Sequence, residues 1–175
     1  MPEPTLLITG ASGSVGRHLV AALAQRGLRV RAASRDPAKA KAALPAEVDL
    51  VRADLADAAS MRAALTGIAR VFLYATLADA DAMRAIFRDT GVRHIVLLSS
   101  SSAASDGTAD GDFNALRFRA FEAAVGAVGV DTTFLRPGEF SSNALGWRHS
   151  IKSARAIRLP YPDAVQTPID QRDIA

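Results

Sequence analysis

The chain has 175 residues, of which 49% are hydrophobic and 22% charged, and its formal net charge is +3. This composition is typical of one globular α/β domain and excludes a disordered chain. The absence of cysteine excludes disulfides, thiolate metal sites and a cysteine nucleophile, and the small, dispersed charge gives no indication of nucleic-acid binding. We find no membrane span, secretory signal or metal-ligand spacing, and therefore expect a cytoplasmic protein without a metal site.

Apolar runs of strand length alternate with alanine-rich stretches of helix length. The predicted strands are residues 5–9, 28–33, 48–51, 70–75, 94–99 and 132–135, and the predicted helices are residues 14–25, 37–44, 58–65, 80–90 and 113–128. Several strands are apolar on consecutive residues, as in parallel strands that helices cover on both faces. The repeated β-α order predicts a Rossmann-type, doubly wound parallel sheet flanked by helices.

The periodic pattern fades beyond about residue 140, which divides the chain into two predicted parts. Residues 1–140 form the predicted Rossmann domain, and residues 141–175 the start of a small lobe. Within that lobe, residues 157–159 are expected to form a further short strand. Asp170 is a candidate N-cap for a helix that begins as the sequence ends, so we expect a truncated lobe, with a frayed natural terminus as the alternative.

The most informative motif lies between the first predicted strand and the first predicted helix, where the glycines follow a G-x-x-G-x-x-G spacing. Gly10 permits a tight turn, Gly13 lets the backbone approach a pyrophosphate, and Gly16 lets the helix lie close to the strand. Unpaired amides at a helix start attract phosphate, and two serine hydroxyls can add donors. We therefore predict a dinucleotide-binding turn, with a ligand-free glycine loop as the alternative. Its residues are Gly10, Ala11, Ser12, Gly13, Ser14, Val15 and Gly16.

The end of the second predicted strand favours NADP(H) over NAD(H). NAD-binding domains usually have an acidic residue there for the ribose hydroxyls, whereas this chain has Ser34 and Arg35. Arg35 can bind a 2′-phosphate through two hydrogen bonds, Ser34 can donate another, and Lys39 lies one turn further on. Asp36 is interpreted as a helix cap. A solvated Arg35 is the alternative, and NAD(H) remains possible.

Residues after the third and fourth predicted strands extend the predicted cofactor site. Asp54 can hydrogen-bond the adenine and Leu55 can contact it, although Asp54 can also cap the next helix, a role for which Asp57 competes. Ala75 and Thr76 end the fourth strand, at the carboxyl edge where open α/β sheets bind ligands.

Together these segments resemble the atypical short-chain dehydrogenase/reductases, and most of all the NmrA-like NAD(P)-binding group. The segments that carry the resemblance are residues 9–16, 34–37, 54–55, 99–102 and 135–138, Asn143, and residues 167–170 and 172–175. The group includes NADPH-dependent quinone reductases and catalytically silent redox sensors. The resemblance implies an NADP(H)-binding domain with a C-terminal substrate lobe that is truncated here, and it places Ser99, Arg136 and Pro137 on the nicotinamide side.

The expected catalytic centre departs from the superfamily pattern. Enzymes of the superfamily use a serine and a Tyr-x-x-x-Lys pair, in which the tyrosine is the acid/base. If Glu122 is aligned with the acid that usually follows in this helix, the two positions fall on Asn114 and Phe118. Ser101 matches the catalytic serine position, although the serines here can equally cap the loop.

The sequence therefore fits two functions of different classes. One is an NADPH-dependent reductase of a small molecule such as a quinone, which needs no protein acid because water can supply the proton. The other is a non-catalytic NADP(H)-sensing regulatory protein. We favour the enzyme because strand-end serines and Arg136 remain, and a sugar-nucleotide epimerase or dehydratase fits less well without the tyrosine base. A homodimer is compatible with the sequence, which fixes no interface.

Overall fold

The computed structural model describes residues 5–74, 79–104, 113–159, 163 and 165–175. Six parallel strands form one sheet in the order β3-β2-β1-β4-β5-β6. The strands are β1 (Thr5–Ile8), β2 (Val30–Ser34), β3 (Asp49–Arg52), β4 (Ile68–Leu73), β5 (His94–Leu98) and β6 (Asp131–Leu135). The helices are α1 (Gly16–Gln25), α2 (Pro37–Ala40), α3 (Ala58–Ala64), α4 (Ala80–Phe87), α5 (Phe113–Gly126), α6 (Arg148–Ala154) and α7 (Gln171–Ile174). The predicted doubly wound sheet is confirmed.

The core consists of two apolar clusters, one on each face of the sheet. Leu7 and Val71 belong to the first cluster, which α3, α4 and α5 cover. Their neighbours Ile8 and Phe72 belong to the second, together with Val20 of α1. Adjacent strand residues point to opposite faces, so the consecutive apolar residues follow from burial on both sides.

Most predicted element bounds agree with the structure within a few residues, and two differ in kind. The second predicted helix is a short α2 followed by a 3-10 turn over Lys41–Ala43. The strand predicted at residues 157–159 is wrong. That segment pairs with no described strand, and the side chains of Ile157 and Leu159 are 41% and 44% exposed. Apolar composition alone therefore did not produce a strand, because the sheet edge does not extend to it.

The segment after β6 packs back onto the Rossmann core. A 3-10 turn (Ser141–Trp147) leads into α6, and α7 lies against α1, with Ile174 packed on the second cluster. Phe140 and Ile169 form a parallel bridge, held by the Ser141 amide on the Ile169 carbonyl at 2.9 Å and the Ile169 amide on the Glu139 carbonyl at 2.9 Å. No helix in the described ranges is long and apolar enough to cross a bilayer.

Candidate functional site

A cleft of about 820 Å³ opens at the carboxyl edge of the sheet. Eleven predicted cofactor residues line it: Gly10, Ser12, Gly13, Ser14, Val15, Gly16, Ser34, Arg35, Lys39, Asp54 and Leu55. It lies at the carboxyl end of β1. The chain passes from β1 to β2 and β3 on one side of the sheet, and then to β4, β5 and β6 on the other. Open α/β sheets bind ligands at such a reversal of strand order.

The glycine turn joins β1 to α1 with almost no space for side chains. Gly10 has a φ of +59°, a left-handed conformation in which other residues are strained. A Cβ built on Gly16 would lie 2.3 Å from the Gly10 carbonyl oxygen and 2.9 Å from the Ala11 Cα. Gly16 therefore lets α1 approach the turn itself, rather than the strand as predicted from the motif. Ala11 is fully buried beneath the turn.

The N-terminus of α1 has the features of an anion-binding helix start. The helix has no side-chain cap and no acidic residue in its first turn. The backbone amides of Ser12 and Ser14 donate no hydrogen bond to any described residue, and both residues are exposed at the cleft. Free amides and the positive end of the helix dipole favour a phosphate group here.

The end of β2 presents one unpaired cation to the cleft. Arg35 is exposed and has no ion-pair or hydrogen-bond partner among the described residues. Asp36 caps α2, as predicted: its carboxylate accepts the Lys39 amide at 3.2 Å and contacts Lys39 Nζ at 3.1 Å. The Lys39 amide, and then its ammonium, lower the pKa of Asp36. Ser34 Oγ donates to the Asp36 carbonyl at 3.1 Å.

Two aspartates follow β3, and the sequence left open which of them caps α3. Asp57 caps α3, accepting the Ser60 amide at 3.1 Å, which together with Arg52 lowers its pKa. Asp54 is therefore not the cap of α3. Its Oδ1 accepts the Ala56 amide at 3.0 Å, and the residue lines the cleft beside the buried Leu55. Asp54 and Leu55 as adenine contacts remain a prediction.

Two further residues shape the cleft without having been predicted to do so. Thr9 is buried, and its Oγ1 donates to the Phe72 carbonyl at 3.2 Å and accepts the Tyr74 amide at 2.7 Å. This hydroxyl ties the end of β4 to the glycine turn. Tyr74 is 53% exposed in the cleft, and its Cβ lies 3.2 Å from where a Cβ on Gly10 would stand. The sequence carried a signal for Tyr74 in its position near the end of the fourth predicted strand, at the carboxyl edge where open α/β sheets bind ligands.

A polar cluster centred on the buried Glu122 joins α5 to the ends of β5 and β6. Ser99 Oγ donates to Glu122 Oε1 at 2.6 Å, while Arg136 donates to Glu122 Oε1 from Nε at 2.9 Å and to Oε2 from its terminal nitrogen at 2.6 Å. Arg136 lowers the pKa of Glu122, burial opposes the shift, and Ser99 adds to it. Glu122 thus stays a carboxylate under physiological conditions.

The other predicted site residues lie away from the cleft lining or outside the described residues. Ser99 and Arg136 bond to Glu122, and the Ser101 amide donates to the Pro137 carbonyl at 2.8 Å. Their contacts with a cofactor or substrate remain predictions. Ala75 and Thr76 lie outside the described residues.

The structure also places the two positions that depart from the superfamily pattern. On α5, Asn114 is exposed and Phe118 packs edge-on against Phe121 at 5.8 Å between ring centroids. In the described ranges no group of three or more acidic, histidine or cysteine side chains is arranged to hold a metal ion.

A parallel sheet with this strand order, and a glycine turn between the central strand and its helix, defines a Rossmann dinucleotide-binding protein. The profile of the NAD(P)H-binding family matches residues 10–157. The chain belongs to this family. The cofactor class and the resemblance expected from the sequence are thereby confirmed.

Known relatives include both enzymes and a regulator. A (4-alkanoyl-5-oxo-2,5-dihydrofuran-3-yl)methyl phosphate reductase of Streptomyces griseus is 38% identical over 173 residues, covering 97% of this chain and 60% of that protein. The nitrogen metabolite regulation-like protein bik4 of Gibberella fujikuroi is 29% identical over 196 positions, covering 99% of this chain and 60% of that protein. The chain thus spans about three fifths of the length of these curated relatives.

A solved structure with a bound cofactor is also similar. The NADPH-dependent quinone oxidoreductase of Escherichia coli, crystallised with NADPH, superposes with a TM-score of 0.70 at 25% identity. The superposition covers 83% of this chain and 53% of that one.

Proposed function

We propose that this protein binds NADP(H) in the cleft and reduces a small electron-poor acceptor such as a quinone. The observation that carries the proposal is the unpaired Arg35, which is exposed in a cleft whose phosphate-binding turn is intact. A guanidinium forms strong paired hydrogen bonds with phosphate oxygens. The solved quinone oxidoreductase with NADPH supports the same cofactor and acceptor class.

The contacts of the Asp36 carboxylate, which lies next to Arg35, support NADP(H) over NAD(H) as the cofactor. An acid at the end of the second strand selects NAD(H) by binding the ribose hydroxyls. Here both oxygens of Asp36 are occupied, one by the Lys39 amide and the other by its ammonium. The free group at this position is therefore a cation, which suits a 2′-phosphate.

The residues around the nicotinamide end of the cleft suit an acceptor that needs no protein acid. When bound, the nicotinamide supplies the hydride. Leu98 and Phe140 line the cleft beyond the glycine turn and provide apolar walls that exclude water and orient a flat acceptor. Asn114 and Phe118 cannot act as acids, and solvent can supply the proton that a reduced quinone takes up. Quinones and similar carbonyl compounds meet this condition.

The same α5 residues favour one second candidate, a redox sensor without turnover. A protein that only reports the NADP⁺/NADPH ratio requires the cofactor cleft and no proton donor. The regulator-like relative from Gibberella fujikuroi supports this alternative. The two candidates share the cofactor site and differ in turnover.

Cofactor choice is tested with Arg35→Ala. We expect NADPH affinity to fall about tenfold or more, because a charge-assisted contact is lost, while NADH affinity stays unchanged. Titration calorimetry with both nucleotides measures the change. Arg26→Ala is the matched control, since Arg26 is exposed at the far end of α1. An unchanged preference for NADPH over NADH in Arg35→Ala would remove the argument.

Turnover is tested with the full-length protein by following NADPH absorbance with a panel of quinones. Oxidation of NADPH that depends on the acceptor supports the reductase. Tight NADPH binding without turnover across the panel would decide for the sensor.

A further inference from the structure

The Ser99–Glu122–Arg136 cluster contains a buried carboxylate, that of Glu122, which would destabilise the fold if it had no partner. The Glu122 side chain is 9% exposed and that of Arg136 is 41% exposed. Each Glu122 oxygen accepts at least one hydrogen bond from a named partner. Because Glu122 is the buried partner, loss of Arg136 or Ser99 would leave its charge less compensated, which favours the arrangement that the structure shows.

This arrangement lies directly behind the apolar walls of the cleft. Ser99 follows Leu98, the last residue of β5, and Arg136 follows the last residue of β6. Two backbone bonds continue the pairing past the strand ends: the Ser99 amide donates to the Leu135 carbonyl at 2.7 Å, and the Ser101 amide donates to the Pro137 carbonyl at 2.8 Å. Glu122 on α5 therefore fixes both chain segments as they leave the sheet.

The strand order assigns this end of the cleft to the nicotinamide. Arg35 and Asp54 lie at the ends of β2 and β3 on one side of the central turn, where the adenosine half belongs. Leu98 and Phe140 line the other side. In the described part of the chain, the cluster forms no hydrogen bond or ion pair with Arg35 or residues 10–16, so we expect a change in it to act on one half of the cleft.

We propose that Glu122 is a positioning residue that holds the ends of β5 and β6 in the geometry the nicotinamide ring requires. The proposal rests on NADP(H) binding as proposed above. Glu122 acts through Ser99 and Arg136 and needs no contact with the cofactor. Its effect is confined to the nicotinamide half, because the adenosine half is built on other strands.

The test compares two ligands of different length. NADPH fills both halves of the cleft, whereas 2′,5′-ADP carries the adenosine and the 2′-phosphate without the nicotinamide. Glu122→Gln keeps the shape of the side chain and removes its charge. Arg136→Lys keeps the charge and removes the paired hydrogen bonds, and it serves as a second variant if Glu122→Gln does not fold.

Arg31→Met is the matched control. Arg31 is a partly buried arginine that donates to Asp49 and to the carbonyls of Ala64 and Thr66, and it does not line the cleft. Its loss lowers stability without acting on the nicotinamide half. A merely structural role for Glu122 would therefore give the same pattern as Arg31→Met.

We expect Glu122→Gln and Arg136→Lys to weaken NADPH binding about tenfold and 2′,5′-ADP binding less than about twofold. Calorimetry measures both affinities, and the ratio of the two is unchanged in Arg31→Met. Equal losses for both ligands, or no loss for either, would overturn the positioning role. A wild-type protein that binds neither ligand would instead overturn the proposed NADP(H) site.

Discussion

At the scale of single residues, the absence of a side chain at Gly16 determines the shape of the phosphate turn. The Gly10 carbonyl would lie 2.3 Å from a Cβ at that position, and backbone atoms cannot move aside as a flexible side chain can. The close approach brings the start of α1 to the floor of the cleft. A methyl group at position 16 would therefore disturb the phosphate-binding turn and also destabilise the fold.

We predict that Gly16→Ala lowers the free energy of unfolding by about 1–3 kcal/mol, the usual cost of overpacking, and weakens NADPH binding. Thermal unfolding with and without NADPH measures both effects. Gly126→Ala is the control. Gly126 is the exposed last residue of α5, and no heavy atom lies within 4 Å of a Cβ built there. That variant should match or slightly exceed wild-type stability. A Gly16→Ala protein that behaves like Gly126→Ala would contradict the prediction.

Residues with local partners were predictable from the sequence, and those with distant partners were not. Asp36 was interpreted correctly as a cap, because its partner Lys39 lies three positions away. Thr9 bonds to Phe72 across 63 positions, and Glu122 bonds to Ser99 across 23. Nothing in a single sequence indicates such pairs, so the cluster behind the nicotinamide half emerged only from the fold.

At the scale of elements, four helices in the described part of the chain begin on an aspartate whose side chain accepts a backbone amide. These residues are Asp36 for α2, Asp57 for α3, Asp79 for α4 and Asp170 for α7. An ionised carboxylate is the better acceptor and also suits the helix dipole. The carboxylates thus stabilise the starts of these helices by hydrogen bonding, and the cap predicted at Asp170 is confirmed.

The effect of acid on these caps is testable at α7. Arg172 lowers the pKa of Asp170 to about 2 through its side chain and then its backbone amide. Because the folded pKa lies below the unfolded one, the stabilisation is complete above about pH 4 and is lost as the pH falls toward about 2. Asp170→Asn keeps a capping side chain but has no charge to titrate.

We therefore expect wild type to be more stable than Asp170→Asn near neutral pH, with the difference closing below about pH 4. Urea unfolding of both proteins across the acid range measures this difference. A stability gap that stays constant down to about pH 2.5 would show that the carboxylate charge does not stabilise α7.

The predicted strands show what a local sequence pattern indicates and what it does not. Short apolar runs identified all six strands of the sheet. The runs are continuous in inner strands such as β4, which are buried on both faces, whereas the edge strands β3 and β6 contain no buried residue. The strand predicted at residues 157–159 rested on two apolar residues that flank Arg158, and the segment pairs with no described strand. Strand formation depends on such a partner, which short-range patterns do not report.

At the scale of the whole molecule, the strand order divides the cleft into two halves that meet at the glycine turn. β2 and β3 end at one half, and β4, β5 and β6 end at the other. A dinucleotide bound across the turn would therefore bridge two sets of strands that are joined only through β1, which pairs with β2 and with β4. Binding of a complete cofactor should stabilise both sets, whereas a fragment should stabilise one.

Hydrogen exchange measured by mass spectrometry can distinguish the two halves. NADPH should slow exchange at the glycine turn, at the ends of β2 and β3, and in the segments that follow β5 and β6. 2′,5′-ADP should protect the turn and the ends of β2 and β3 only. Identical protection by the two ligands would contradict the assignment of the halves.

Phe140 lines one wall of the cleft, and it is bridged to Ile169, a residue that lies outside the six-stranded sheet. The Ile169 amide donates to the Glu139 carbonyl and the Ser141 amide donates to the Ile169 carbonyl, so the position of Ile169 determines where Phe140 stands at the edge of the cleft. A shift of Ile169 would therefore deepen or narrow the end of the cleft that Phe140 lines, whereas residues 10–16 and Arg35 are positioned by other strands and would keep their places. The size of that end and the grip on the nucleotide phosphates are thus set by separate parts of the fold.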